Sequence, residues 1–365
     1  MNLKTKLILI VTMTAALFFG FLQLFCPAYN FERLHIFLFN LCSGGTAILI
    51  YSEGKKGASL RAGFFFLLSF CYAVFAFLQM YRYAISVAMI LALLVEAVRI
   101  KKFSFVPWNF FTPSSSTSEK FHHASLLCLS LALIISALVI YNHQYGGLIL
   151  SPKLTLDIFF LGFSFPVSLI TMSVMYGKMK ESMNRPTRIF EDASFWIINL
   201  GVIIFFLFIL MQMFIPELII AGILFVTVVI IFAIYLKLGF REQPKAFLSS
   251  GMAFLIMTAI TGIIYIPLSL YIPSPPNGKL LLKLHALISL YGWNLNGIAV
   301  ICRYHDFPIK LHSLRVILLH WVIVILIAPL GFYWRPVSVL AVLAYALFLS
   351  IVFFTKGNRR EAMIR

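Results

Sequence analysis

The most constraining feature of this chain is an alternation. Twelve apolar runs, most of them near 20 residues long, are separated by short segments that hold most of the lysines and arginines. A helix rises 1.5 Å per residue, so about 20 residues match the hydrocarbon core of a bilayer. The runs fall at 6–26, 34–51, 62–80, 83–100, 124–142, 156–177, 194–215, 217–237, 247–271, 281–302, 314–334 and 336–355. They predict an all-α polytopic helical bundle, a single transmembrane domain with about twelve spans. Turns are expected at Arg82, at Pro216-Glu217 and at Arg335-Pro336, where a charge or a helix breaker separates adjacent runs. The stretch 101–123, with Pro113 and its run of serines, reads as a polar linker. The turn-rich stretch 273–278 reads as a cap on the longest outer loop.

Composition supports this reading. Only 11% of the residues are charged and 62% are hydrophobic, whereas soluble domains are about a quarter charged. The net charge of +17 does not form a continuous basic face, and no aromatic-plus-basic RNA motif is present, so nucleic acid is excluded as a partner. Membrane lipid is the expected surroundings, and protein partners are left open. The basic residues set an orientation instead. With the amino terminus inside, 23 of the 29 lysines and arginines lie in inner segments and six in outer ones, the bias that fixes topology in membranes. Both ends are then cytoplasmic. Merging the runs on either side of Arg82 would invert everything downstream and make one helix about 58 Å long, twice the hydrocarbon thickness. Tyr29, Tyr81, Tyr141, Tyr333 and Trp334 fall at the outer boundary, where amphipathic rings settle. The basic start followed by an apolar stretch has the look of a signal peptide, but the stretch is long enough to span and no small-x-small cleavage site follows, so a retained first helix is expected. A bacterial inner membrane is the expected location. The five cysteines have neither metal nor covalent-haem spacing and read as small apolar residues.

Polar groups inside the bilayer are costly and are functional candidates by default. In helix 10, His285, Ser289, Gly292 and Asn296 recur at spacings of four, three and four, one narrow stripe at 100° per residue. In helix 2, His35 is followed on roughly the same side by Ser43 and Thr46, with Gly44-Gly45 allowing a backbone or a flat ligand to come close. Both helices begin basic-Leu-His and run outside to inside, so His35 and His285 are expected at similar depth. Two such histidines suit a bis-imidazole haem. They suit one end of a proton path equally well, and interhelical packing is the plain alternative. Ser164, Ser168 and Thr171 share a face of helix 6 around Pro166, and Thr258 and Gly262 share one of helix 9. Pro329 is expected to kink helix 11. His122, His123 and His320 are expected at the inner interface, and Glu96 and Asp157 near helix ends where solvent is at hand. No Walker, Gly-x-Ser-x-Gly or Asp-rich prenyltransferase motif is present.

Twelve spans, a histidine near the outer end of helix 2 and the LHALISLYGW segment opening helix 10 together resemble the catalytic subunit of the haem–copper oxidases. The resemblance covers overall topology and two short segments. It implies a haem on the outer side, with His35 and His285 as ligands to its iron. The chain departs from the family at both metals: Leu287 stands where the second histidine of helix 10, the family's low-spin haem ligand, belongs, and where copper is held helix 6 lacks the family's His and Tyr and helix 7 lacks its His-His pair. A complete oxygen or nitric-oxide reductase is therefore not expected. The leading expectation is a multi-pass protein binding haem b for electron transfer or sensing. Alternatives are a transporter or permease for a small or lipidic solute, and a structural or assembly factor.

Overall fold

A computed structural model describes residues 1–26, 28–55, 57–149, 152–180, 184–240, 244–271, 276–306 and 313–355, with the backbone alone at 152–153, 155–161, 244, 269–271, 276–279 and 305. The described residues form twelve helical rods: α1 (Leu3–Phe25), α2 (Phe31–Ser52), α3 (Leu60–Phe77), α4 (Tyr81–Lys102), α5 (Thr117–Gly146), α6 (Pro152–Gly177), α7 (Arg185–Met211), α8 (Phe214–Leu238), α9 (Pro244–Tyr271), α10 (276–302), α11 (Leu314–Gly331) and α12 (Arg335–Phe354). Eleven of them are long and apolar enough to cross a membrane. In α6 the apolar stretch among the described residues is Gly162–Gly177.

The surface is inverted relative to that of a water-soluble bundle. Large apolar side chains such as Leu93, Ile215 and Leu343 are exposed along α4, α8 and α12, while Asn40, Asn294 and Asn296 are fully buried. A hydrocarbon exterior tolerates the first and requires partners for the second. Burial also ranks the helices. The most apolar stretch of α2 is 89% buried and that of α10 is 78%, against 22% for α8 and 28% for α3, α7 and α11. These two are the central rods. α2 packs on α1, α3, α6 and α10, and α10 packs on α2, α6, α9 and α11.

Both central helices are widened in the middle. Residues Phe37–Gly45 of α2 and Ile288–Asn294 of α10 take the π-helical path, as do Val322–Ile327 of α11. Such turns are rare and concentrate at functional sites. In α11 the wide turn sits immediately before Ala328-Pro329, so the distortion expected from Pro329 is absorbed as an expanded turn. Pro166 and Pro267 lie inside α6 and α9.

The three expected hairpin turns all move by one to a few residues. The chain reverses at Gln79 and at Gln212, each at positive φ (60° and 56°). Arg82, Pro216 and Pro336 sit in first turns instead. A proline there loses no hydrogen bond, because the first helical N–H groups have no partner within the helix. The linker is shorter than expected. Ser116 and Glu119 form a capping box that starts α5 at Thr117. The stretch 273–275 and the Asp157 side chain lie outside the described residues. Cys42 and Cys302 are buried, Cys26 is exposed, and all five cysteines are free.

Candidate functional site: a polar junction of three helices

The helix 10 stripe faces α9. The Nδ1–H of His285 donates to the carbonyl of Thr258 at 2.9 Å and lies 3.3 Å from Thr261 Oγ1. A Cβ at Gly262 would come within 3.1 Å of the same ring. One and a half to two turns on, Gly292 admits the Phe254 ring, which would lie 2.6 Å from an added Cβ. Asn296 packs against Gly251 and donates Nδ2–H to the Gly292 carbonyl at 2.6 Å. Ser289 is half-buried. The stripe is thus largely a seam of small and polar residues that lets α9 lie close.

The helix 2 residues are also used for packing. Gly44 is covered by Val167 of α6 and Gly45 by Phe65 of α3, at 2.5 and 2.8 Å from an added Cβ. Another helix, rather than a flat ligand, takes the space they leave. Ser43 returns its hydroxyl hydrogen to the Leu38 carbonyl at 2.9 Å, five residues back, which is the spacing of a wide turn. Thr46 is buried with an unpartnered Oγ1.

His35 and His285 look to different neighbours. His35 lies against Gly20 of α1, whose added Cβ would be 3.6 Å from Cγ of the ring, and it is nearly parallel to the Tyr291 ring at 6.5 Å. Its Nδ1 is buried without a hydrogen bond; the Glu32 carbonyl a turn earlier is close but outside hydrogen-bond geometry. His285 carries its proton on Nδ1, which leaves Nε2 as a lone pair, the tautomer a metal ligand needs. That half of the arrangement fits haem ligation. His35 has no such hydrogen bond on Nδ1, and the contacts of the two rings are with different helices, His35 with α1 and His285 with α9. Among the described residues no three His, Cys, Asp or Glu side chains converge as metal ligands.

The polar centre lies at residues the sequence reading passed over. Asn294, in the wide turn of α10, donates Nδ2–H to Ser164 Oγ of α6 at 2.8 Å and to Asn40 Oδ1 of α2 at 3.3 Å. Asn40 and Asn294 are fully buried. Two of their amide atoms, Asn40 Nδ2 and Asn294 Oδ1, have no partner, although buried amides are nearly always satisfied. The face of α6 singled out in the sequence supports this junction. Ser168 accepts from Trp293 Nε1 at 2.7 Å, and Thr171 lies against Gly297. The Ser125 hydroxyl of α5 holds the Pro166 carbonyl at 2.7 Å. Asn40 is nine residues from the start of α2 and twelve from its end, about 14 and 18 Å, so the junction lies near mid-length. Asn294 was missed because it lies off the stripe of His285 and Asn296, on the side of α10 that meets α6 and α2.

Three histidines expected at the interface are buried. His320 donates Nε2–H to the Tyr291 carbonyl at 2.6 Å and stacks on Phe348 at 4.5 Å. His122 bonds Ser52 at 2.7 Å. His123 is held between α4 and the linker. An arginine only donates, so the Arg99 contact at 2.8 Å makes His123 Nε2 the acceptor, and its Nδ1–H goes to Asn109 Oδ1 at 2.6 Å. Arg99 also binds Glu96 at 2.6 Å and the carbonyls of Ser104 and Phe105, both at 3.0 Å. Glu96, expected to rely on solvent, is therefore paired, and it accepts from Ser130 as well. Another ionic cluster ties three helix ends together. Arg303 bonds Asp306 at 2.7 Å and the carbonyls of Val352 and Thr355 at 2.8 and 2.5 Å. Lys6 reaches Asp306 at 3.3 Å. Burial alone would raise the Asp306 carboxyl, but the Met1 amino group, Arg303 and Lys6 together hold it below its ordinary value.

Comparison with protein-family models, with curated proteins and with solved structures returns no match. Function is therefore argued from this geometry.

Proposed function

We propose that this chain is a multi-pass protein of the bacterial inner membrane, with both ends cytoplasmic, and that it carries a small, uncharged polar solute through the α2/α6/α10 junction. The observation that carries the reading is the amide node of Asn40, Asn294 and Ser164. It sits at mid-length between the two most enclosed helices, it keeps one donor and one acceptor unused, and both asparagines occur where their helices leave regular α geometry. Transporters place substrate sites near the midplane at interrupted helices. No charge contacts the node through the hydrogen bonds described, which favours a neutral solute with its own donor and acceptor. The 23-to-6 distribution of basic residues supports the orientation.

Haem b binding for electron transfer or sensing is the second reading, supported by the Nδ1–H bond of His285, which leaves its Nε2 free to ligate, whereas His35 Nδ1 makes no such bond. It has a direct test in the reduced-minus-oxidised visible spectrum of the purified protein, where a haem band lost on His285→Ala would support it.

The transport reading is tested with proteoliposomes and a panel of small neutral solutes such as glycerol, urea and simple sugars, followed by stopped-flow light scattering. At least one solute is expected to enter faster than in protein-free vesicles. Asn294→Leu, which keeps the volume and removes the amide, should abolish that gain. A gain unchanged in Asn294→Leu would refute the reading.

A further inference from the structure

Beside the amide node lies a second set of buried polar atoms that it does not use. His35 Nδ1, Tyr291 OH, Tyr345 OH and His320 Nδ1 each lack a hydrogen-bond partner. The first three are ring neighbours, and His320 adjoins them through the Tyr291 backbone. The Tyr291 ring lies 6.5 Å from His35 and 5.3 Å from Tyr345, which it meets edge-on. His320 donates to the Tyr291 carbonyl at 2.6 Å. It also stacks on Phe348, one turn beyond Tyr345 on α12.

Their depths differ in order. His35 is four residues from the start of α2, and His320 is six residues from the start of α11. These are about 6 and 9 Å along the helices. In the orientation proposed above those two helix ends belong to opposite faces of the membrane. Tyr345 lies midway along α12, ten residues from its start.

We propose that His35, Tyr291, Tyr345 and His320 form a proton relay across the bundle, so that solute movement through the amide node is coupled to protons. The coupling rests on the transport reading, but the relay itself does not. The chemistry is available at every position, since imidazole and phenol groups each both accept and donate. Packing alone would favour phenylalanine at 291 and 345, because a buried hydroxyl without a partner is costly and a ring edge is not.

A proton entering at His35 forms an N–H bond on Nδ1, and that bond breaks as the proton passes toward Tyr291. As it moves on, each hydroxyl gains one O–H bond on its lone pair while its outgoing O–H bond breaks. A water bridges wherever rings stand too far apart for a direct bond. The proton ends on His320 Nδ1, while the Nε2–H stays on the Tyr291 carbonyl. Release to the far side breaks the His320 Nδ1–H bond, and rotation of the hydroxyls then returns every group to its starting state. One proton is moved, and nothing is oxidised or reduced.

The test is proton flux into proteoliposomes. Pyranine is trapped inside, a potassium gradient with valinomycin supplies the driving force, and the solute panel is present or absent. Wild type should acidify the lumen faster than protein-free vesicles in at least one condition. Tyr291→Phe and Tyr345→Phe keep the rings and remove only the hydroxyls, and each should slow that flux at least about tenfold. Ser86→Ala, at an exposed serine bonded to its own helix, should leave it unchanged. Gel filtration and circular dichroism establish that the variants are folded. Equal flux in wild type and both tyrosine variants overturns the relay, as does a wild type no faster than protein-free vesicles in every condition. Solute entry without proton flux overturns the relay and leaves transport standing. Tyrosine-dependent proton flux without any solute entry upholds the relay and overturns transport.

Discussion

One added methyl group at Gly297 should part α6 from α10 and disable the amide node without altering any polar side chain. A Cβ at this position would lie 1.6 Å from Thr171 Oγ1, 2.7 Å from its Cβ and 2.9 Å from its Cγ2. Rotating the threonine relieves the first contact and leaves the second. Carbon atoms pack at about 3.5–4.0 Å, so the two helices must separate by about 1 Å. Asn294 is one turn away on α10, and its 2.8 Å bond to Ser164 would open to about 3.8 Å, past hydrogen-bond range. Overpacking of this kind costs about 1–3 kcal/mol, and the lost interhelical bond adds about 0.6 kcal/mol. Gly297→Ala should therefore lower stability by about 2–3 kcal/mol in SDS titration from mixed micelles, read by circular dichroism. Thr171→Gly in the same chain removes the offending atoms. It should recover most of the packing loss, less about 1 kcal/mol for a glycine inside a helix. A Gly297→Ala protein within about 0.5 kcal/mol of wild type, or a double variant no better than the single one, would refute the reasoning.

Other expectations follow from the two ionic clusters and from His320. Arg99→Met strands Glu96 and the His123 acceptor in a buried setting and should cost about 3–5 kcal/mol in the same titration. Arg99→Lys, with three donors on a flexible stem, should fall between that and wild type; a loss below about 1 kcal/mol for the methionine variant would contradict the geometry. Asp306 has a folded pKa below its unfolded one, so its stabilisation is complete above the unfolded value of about 4 and is lost as pH falls through the folded value. The melting temperature should drop between about pH 5 and about pH 3, and Asp306→Asn should flatten that drop; identical profiles would show that the cluster contributes nothing. His320→Gln retains a donor for the Tyr291 carbonyl and His320→Phe does not, so thermal melts should rank glutamine above phenylalanine.

The number and order of the rods were legible because apolar run length and basic clusters are read directly against bilayer thickness. Helices 2 and 10 stood out for the right reason, since polar and small residues inside an apolar helix have to face protein. What their faces meet was not legible. The stripe His285, Gly292 and Asn296 finds α9, whose Thr258 and Gly262 stand out in the sequence only as a separate pair. The α6 face of Ser164, Ser168 and Thr171 finds Asn294, Trp293 and Gly297. Pairing faces across 130 residues needs a third dimension that periodicity does not contain. Asn40 and Asn294 escaped because each lies off the small and polar stripe of its helix, where its partners come from other helices. Gln79 and Gln212 gave no warning of a left-handed turn, which glycine or asparagine would have signalled. The burial of His122, His123 and His320 depends on acceptors and rings supplied by other helices.

Accessibility of the amide node tests the central claim most directly, because it does not require the solute to be known. In a chain freed of its five cysteines, Ser164→Cys and Asn294→Cys would be treated in proteoliposomes with a small, charged methanethiosulfonate applied to either side. A path through the α2/α6/α10 junction predicts that both thiols react, and that Leu343→Cys, on the exposed apolar face of α12, does not. If Ser164→Cys and Asn294→Cys stay unmodified from both sides while the protein remains folded, the junction is sealed packing and no solute passes through it.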